Sequence, residues 1–378
     1  MDNIQKRQVY PVLLDAKVFN LLPDNLKNYL RAMADEEDVV LRGGAVKLVV
    51  LTSLMLQGKL NDRKRWEAER KINDFDVSFV YNKLPDDLKN VVAEKFNRVR
   101  DKLAAVGVSL EAKDIELVEE STRERAVARV VGLIDMTINE VAMMPQNRQW
   151  YFYYTPQCYR ALAEGIGISN PQPGHFWFNA GRIIPSSFQM IRLVKFLVAG
   201  KVDKIYLPKW WRALYMENYQ NKAAAGEMPT NAPLGFYSLV LMKNYFGDKP
   251  LLQKRAMVTL YDLGFTEILD PELYIRQQER IFADSGTQFE QTDFTIEEVI
   301  DRYLESRRKK EESRANRQAA RANCGHEFKM INCNLCGRNQ CVIETCAKCG
   351  KNKTGGYLPC TLRMYAGQTD PNSFYEIK

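Results

Sequence analysis

Two kinds of residue in this chain are spaced for chemistry: carboxylates at alternate positions and thiols in pairs. In Asn73-Asp74-Phe75-Asp76-Val77-Ser78-Phe79, a strand puts Asp74, Asp76 and Ser78 on one face and Phe75, Val77, Phe79 and Tyr81 on the other. Carboxylates two residues apart on a strand project side by side, and such a pair can share a hard cation such as Mg²⁺. The same pattern also serves as a solvated edge face. Near the C-terminus, Cys333-Asn334-Leu335-Cys336-Gly337 and Cys346-Ala347-Lys348-Cys349-Gly350 form two Cys-x-x-Cys-Gly knuckles, with nine residues between the pairs. Four such thiols predict a structural Cys₄ zinc site. The Gly after each pair permits the tight turn that aims backbone N–H groups at the sulfurs. Cys324, His326, Cys341 and Cys360 supply four more ligands of suitable type for a second Zn²⁺. Spacing does not determine their pairing, and ligands can exchange between the two sets. His175 follows Pro173-Gly174 in a loop and reads as structural.

The elements that must hold the carboxylates are legible around them. Val39, Val40 and Leu41 form a short apolar run that stops at Gly43-Gly44, as a strand entering a tight turn does. Ala45 to Leu56 then reads as a helix, so the Gly amides lie at its N-terminus, where free N–H groups and the helix dipole favour a phosphate. Residues 1–38 read as a helical preamble with Leu21, Leu22, Leu26, Leu30 and Met33 at helical spacing. Leu84-Pro85-Asp86-Asp87 opens a helix whose apolar stripe runs from Leu88 to Leu103 and which Gly107 closes. Lys113 to Glu120 is a further strand, with Asp114 and Glu116 on one face.

Gly43-Gly44-Ala45-Val46-Lys47 followed by Asp74-x-Asp76 resembles the active-site signature of polymerase-β-like nucleotidyltransferases. The closer resemblance is to the head of CCA-adding enzymes and bacterial poly(A) polymerases, where a Gly-Gly-x-Val-Arg-Asp turn precedes Asp-x-Asp. Lys47 stands for the family's Arg and Leu48 for its Asp. Twenty-nine residues separate Gly44 from Asp74, more than the family's spacing, so Gln57 to Asn73 reads as an insertion. The resemblance implies Mg²⁺ on Asp74 and Asp76 with a third carboxylate, for which Glu116 is the first choice and Asp114 the reserve. It also implies that Gly43, Gly44 and Lys47 hold a triphosphate. Asp135, Thr137, Ile138 and Asn139 match the family's Arg-Arg-Asp-Phe-Thr-Ile-Asn-Ala motif, which holds the nucleotide sugar, although Leu133 and Ile134 replace its two Arg. Arg182 to Phe196 resembles the family's base-reading helix, with Ser186 and Gln189 in place of its Asp and first Arg and with Arg192 retained. Gln offers a base edge one donor and one acceptor, without the charged bidentate contact of Arg. Adding C and then A is the point those changes touch.

At 378 residues, with 46% hydrophobic and 27% charged residues, the chain has the make-up of a globular protein of several domains. No run of about 18 apolar residues occurs, so no membrane partner is expected. The opening Met1 to Lys6 lacks an apolar signal core, which points to the cytoplasm. Seven of the eight cysteines lie between Cys324 and Cys360, which in a reducing compartment reads as metal ligation. The net charge of +7 resides from Glu305 onward; the preceding residues carry forty basic and forty acidic side chains. Attraction to a polyanion such as RNA is expected from that last fifth.

Thr295-Ile296-Glu297-Glu298 is a capping box that opens a long helix. Arg307, Arg308, Lys309, Lys310, Arg314, Arg317 and Arg321 lie on this helix as candidate contacts to an RNA backbone, or as an ordinary solvated face. The expected fold is α+β. Its parts are a nucleotidyltransferase head of small mixed sheet and helices (1–147), a nucleotide-reading neck (148–200), a helical body (201–293), the basic helix (294–322) and a zinc module (323–378). The function that follows is template-independent addition of nucleotides from CTP or ATP to an RNA 3′ end, tRNA foremost. An enzyme of altered nucleotide or acceptor preference, and a non-catalytic zinc-containing RNA-binding protein, are the alternatives.

Overall fold

Val39, Val40 and Leu41 are all fully buried, although a strand with one wet face would alternate. The strand that they form lies inside a sheet covered on both faces. The structure is a computed structural model. It describes residues 9–60, 62–72, 74–132, 136–168, 176–179, 182–185, 194–208, 249–262, 295–332, 342–346, 348 and 374–377. The chain divides into two compact units, Met1–Gly165 with Thr292–Asn323, and Ile166–Gln291 with Cys324–Lys378.

The first unit runs β1 (Tyr10–Leu13), α1 (Ala16–Leu21), α2 (Asp24–Ala32), β2 (Val39–Arg42), α3 (Gly44–Leu56), α4 (Arg63–Glu69), β3 (Val77–Tyr81), α5 (Leu88–Ala104), β4 (Ile115–Glu119), α6 (Arg123–Gly132), β5 (Val141–Gln146), β6 (Gln149–Tyr154) and α7 (Pro156–Glu164). Its six strands form one mixed sheet in the order β1-β6-β5-β2-β3-β4. Only β3 and β4 pair in parallel, and α5 supplies the crossover that a parallel pair needs. One face carries Val40, Val80, Val118, Ala142 and Met144, packed on Ala126, Val127, Val130 and Val131 of α6. Alternate residues Leu41, Val77, Phe79 and Leu117 bury the opposite face.

The expected insertion Gln57 to Asn73 contains α4, which lies along α3. Trp66 Nε1 donates to Thr52 Oγ1 at 2.9 Å, and Arg65 Nη1 donates to the Leu162 carbonyl at the end of α7 at 2.8 Å. The head does not stop at residue 147, because Asn147 and Arg148 form the tip of the β5–β6 hairpin. Both have positive φ, 51° and 62°, as a two-residue hairpin turn requires. Trp150 to Tyr154, expected in a neck, are therefore strand β6 of the head sheet.

The capping box at Thr295 forms as expected: Glu298 N–H donates to Thr295 Oγ1 at 3.3 Å, and Thr295 N–H donates to Glu298 Oε2 at 3.0 Å. The long helix Ile296–Ala322 that follows belongs to the first unit, burying Ile296 and Ile300 and resting on α5 and β4.

In the second unit, β7 (Ile166–Ile168) pairs in parallel with a strand at Lys204–Pro208 that also pairs antiparallel with Phe374–Ile377. A hairpin joins β8 (Phe176–Asn179) to β9 (Arg182–Pro185), with Lys204–Pro208 then β10 in chain order. Residues Arg182 to Pro185 are thus a strand and not the start of the expected base-reading helix; Ile183 and Ile184, both β-branched, suit that ladder. The expected helical body (201–293) likewise contains β10 and, among the described residues, a helix at Pro250–Asp262. A second hairpin joins β11 (Phe328–Asn332) to β12 (Val342–Cys346). Among the described residues no helix is long and apolar enough to cross a membrane.

Candidate functional site

The Gly turn and the first carboxylates meet at the end of β2. Arg42 N–H donates to the Asp76 carbonyl at 2.9 Å, extending the β2–β3 pairing up to the turn. Gly43 adopts φ 76° and ψ −146°, a conformation that side chains exclude. A Cβ built on it would stand 2.2 Å from Asp76 Oδ2. Glycine is therefore required twice, for the backbone angle and for the close approach of a carboxylate. Gly44 opens the 13-residue helix α3, and Gly43 offers its first-turn amides no side-chain cap.

Lys47, expected to hold a triphosphate, is paired with a carboxylate in the interior. Its ammonium is 2.9 Å from Glu69 Oε1, and both residues are almost wholly buried. Glu69 comes from α4, so the inserted segment itself supplies the counter-charge. That carboxylate also borders the helix start, with Oε2 at 3.5 Å from the Cβ position of Gly44.

The parallel register Val77↔Ile115 and Ser78↔Glu116 carries Asp76 to the side of Asp114, each standing just before its strand. Burial pushes the Asp114 carboxyl up to about 6. The Glu111 N–H it accepts opposes this, and the charges of Asp74 and Asp76 add to it. The third carboxylate in the field of Asp74 and Asp76 is thus Asp114. Glu116, the first choice from the sequence, instead holds Arg42 Nη1 at 3.0 Å. Asp114 also caps the short turn Ala112–Asp114 through that Glu111 N–H, at 3.2 Å. Ser78 Oγ and Arg42 Nε, on the same sheet face as Asp76, are buried without a hydrogen-bond partner.

The β2–β5 register, Leu41↔Met143 and Arg42↔Ala142, runs on toward residues 139–141 beside the Gly turn. The short turn Thr137–Asn139 packs on α7 and α3, with Thr137 and Asn139 both buried. Behind it, the Thr155 hydroxyl donates to buried Glu140 and accepts from Cys158 N–H at the start of α7. Asp135, Ser186, Gln189 and Arg192 lie outside the described residues.

The second centre is in the other unit. Cys324, His326 and Cys346 bring their ligand atoms within 4.8 Å of one another, a set able to hold a metal ion and compatible with zinc. The β11–β12 register makes this contact, since Phe328↔Cys346 sets Cys346 beside the strand that His326 leads into. The sulfurs of Cys324 and Cys346 are 3.7 Å apart. Two thiolates at about 2.3 Å from one tetrahedral ion stand roughly 3.8 Å from each other. This grouping differs from the sequence expectation, which joined Cys346 to the Cys333 pair. Cys333, Cys336, Cys341, Cys349 and Cys360 lie outside the described residues.

Comparison with protein-family models, with curated proteins and with solved structures finds no match. Chemistry must therefore be read from the residues themselves.

On the long helix, three of the seven candidate basic residues are engaged in ion pairs. Arg307 holds Glu119 of β4 at 3.0 Å and Glu311 at 3.1 Å, Arg308 pairs with Glu312, and Lys309 with Glu305. Arg314 is exposed, and the side chains of Lys310, Arg317 and Arg321 lie outside the described set. Two residues of the first centre escaped the sequence reading, Arg42 and Glu69. Arg42 had a usable signal, since alternation from Val40 sets it on the face of Asp76. Glu69 had none, because nothing in its neighbourhood names Lys47 as its partner.

Proposed function

We propose that the first unit is a template-independent nucleotidyltransferase of the polymerase-β-like kind, acting on an RNA 3′ end. The observation that carries the reading is the Gly43 turn seated on the Asp76 carboxylate, with Asp114 close enough to feel both Asp74 and Asp76. Burial first, and the charges of Asp74 and Asp76 after it, raise the Asp114 carboxyl, and carboxylates carried to the same end of the β3–β4 pair would supply oxygen donors of the hard kind that Mg²⁺ takes. Asp74, Asp76 and Asp114 would hold it, and the ion would offset charge on the phosphates. Gly43 lets the phosphates approach the backbone, and the first amides of α3 donate to them. Arg42, restrained by Glu116, adds a guanidinium whose Nε has no protein partner. In the reaction the RNA 3′-oxygen bonds to the α-phosphorus while the bond from that phosphorus to its bridging oxygen breaks. The hydroxyl proton passes to a carboxylate or water, and pyrophosphate leaves.

A second reading, an enzyme that adds one type of nucleotide or serves another acceptor, is favoured by strand β9 at Arg182–Pro185. The base-reading helix of CCA addition would begin there. The assay uses the full chain with Mg²⁺, a tRNA pool and each labelled triphosphate in turn, beside Asp74→Ala/Asp76→Ala. Incorporation of both CTP and ATP, lost in the variant, supports CCA-type addition; one nucleotide alone supports the second reading. No incorporation with retained, salt-sensitive tRNA binding sinks catalysis on tRNA and leaves a zinc-containing RNA-binding protein.

A further inference from the structure

We propose that Arg42 and Ser78 form a polyphosphate subsite on the head sheet, with Glu116 as the positioning residue that holds the Arg42 guanidinium across strand β3. The identity of the ligand, the triphosphate of an incoming nucleotide, rests on the nucleotidyltransferase reading; the construction of the subsite does not. Strand β3 lies between β2 and β4. One step beyond Leu41↔Val77, Arg42 comes opposite Asp76 and its N–H donates to the Asp76 carbonyl. On the other side of β3, Ser78 comes opposite Glu116. Paired residues share a face, as do residues two apart on one strand, so Arg42, Asp76, Ser78 and Glu116 all project from the same side. Two strand spacings, about 9–10 Å, separate β2 from β4. Arg42 Nη1 and Glu116 Oε2 are nevertheless 3.0 Å apart, so the two side chains meet above β3 as a strap.

Two donors at this strap are unused. Ser78 is wholly buried and its hydroxyl has no partner, and the buried Nε of Arg42 has none either. A buried donor without an acceptor has given up water for nothing, so two of them on one patch of sheet make a prepared place for a shared acceptor. An oxyanion suits that place. The guanidinium fork can keep one edge on the Glu116 carboxylate and turn the other to a phosphate oxygen. Arg42 also immediately precedes the Gly43 turn, where the first amides of α3 point. Entry is open from the strap side, since the Arg42 and Glu116 side chains are 28% and 43% exposed. Helix α6 covers the same face further along, over Val40, Val80 and Val118. Lys47, by contrast, is held in the interior by Glu69.

The test is binding of inorganic tripolyphosphate to the full chain by calorimetry, at saturating Mg²⁺ because Asp76 adjoins the subsite. Arg42→Ala should weaken binding about tenfold or more, and Arg42→Lys nearly as much, since an ammonium lacks the fork that serves Glu116 and phosphate together. Ser78→Ala should weaken it about three- to tenfold. The same variant should melt at the native temperature or above it, because the hydroxyl removed has no protein partner; a merely structural hydroxyl would lower it. Glu116→Ala should weaken binding about threefold or more, and Glu116→Gln, which keeps an acceptor for Nη1, should restore most of the loss. Arg100→Ala removes an exposed guanidinium from α5 and should bind as the native chain does. No binding by the native chain, native affinity in Arg42→Lys or Ser78→Ala, or tighter binding by Glu116→Ala overturns the assignment. Nucleotide incorporation is measured in parallel. Losses of binding as expected in a chain that incorporates no nucleotide refute transfer and leave the subsite standing; incorporation with undiminished affinity in the variants does the reverse.

Discussion

Replacing Glu69 by Ala removes the carboxylate beside the buried Lys47 ammonium. The two charges are 2.9 Å apart and their side chains are 3% and 4% exposed. At an effective dielectric constant of about 20, their attraction is roughly 6 kcal/mol. Drawing each ion out of water costs several kcal/mol, so the intact pair contributes little net stability. Removing one partner is different, because the other keeps its desolvation cost and loses this attraction, and the loss is about 3–5 kcal/mol. Lys47→Met should destabilise by a similar amount, while Lys47→Met/Glu69→Leu should recover most of it, giving a large coupling energy. Hydrogen exchange of the amides of α3 and α4, read by mass spectrometry alongside urea unfolding, reports the change where it occurs. A single-variant loss under about 1 kcal/mol, the value for an exposed pair, would refute a buried ion pair. The same variants separate structure from catalysis. If Lys47 only supports the fold, the double variant regains nucleotide incorporation along with stability; if it grips phosphate, stability returns and activity does not.

Gly43→Ala should lose nucleotide incorporation and about 1–3 kcal/mol of stability, because the backbone angle is closed to Ala and its methyl displaces the Asp76 carboxylate; a variant of native stability and activity contradicts the turn. Asp114, raised to about 6, holds its proton more tightly in the folded state. Its contribution therefore favours folding at acid pH and fades as pH rises through that value, and an NMR titration should find a midpoint near it that Mg²⁺ lowers. A midpoint in the ordinary carboxylate range, or one blind to Mg²⁺, counts against the acidic cluster. Burial pushes the Cys158 thiol well up, so it should resist alkylation in the native chain and react only after unfolding, as peptide mapping would show. Rapid native labelling would mean that α7 is not docked.

Local signals read well where one segment carried its own pattern. The run at Val39 to Leu41 became β2, Gly43 became a left-handed turn, and the capping box at Thr295 opened its helix as written. The strand with Asp114 and Glu116 was also legible, but not which of the two faces Asp74 and Asp76. That depends on the parallel register with β3, a relation between segments joined by a whole helix. The Glu69 partner of Lys47 was hidden for the same reason, since it comes from α4 and not from the neighbours of Lys47 in sequence. At Arg182 to Pro185 the resemblance suggested a helix, while the paired β-branched residues Ile183 and Ile184 belong to a strand. The thiol grouping was open because a hairpin register, unlike a knuckle, leaves no mark in spacing.

The first unit is completed by a helix that the ribosome makes late. Ile296 and Ile300 bury themselves against a unit whose other residues end at Gly165, and the whole intervening stretch is translated in between. At about 5–20 residues per second, on the order of ten seconds passes before that helix emerges. Throughout that interval the nascent unit lacks the helix that rests on α5 and β4, and with it Arg307 for Glu119 and Asp301 for Lys89. A fragment cut after α7 is frozen in this incomplete state. Adding the helix as a separate peptide should then restore what tethering normally supplies, which makes the order of synthesis itself part of how this unit assembles.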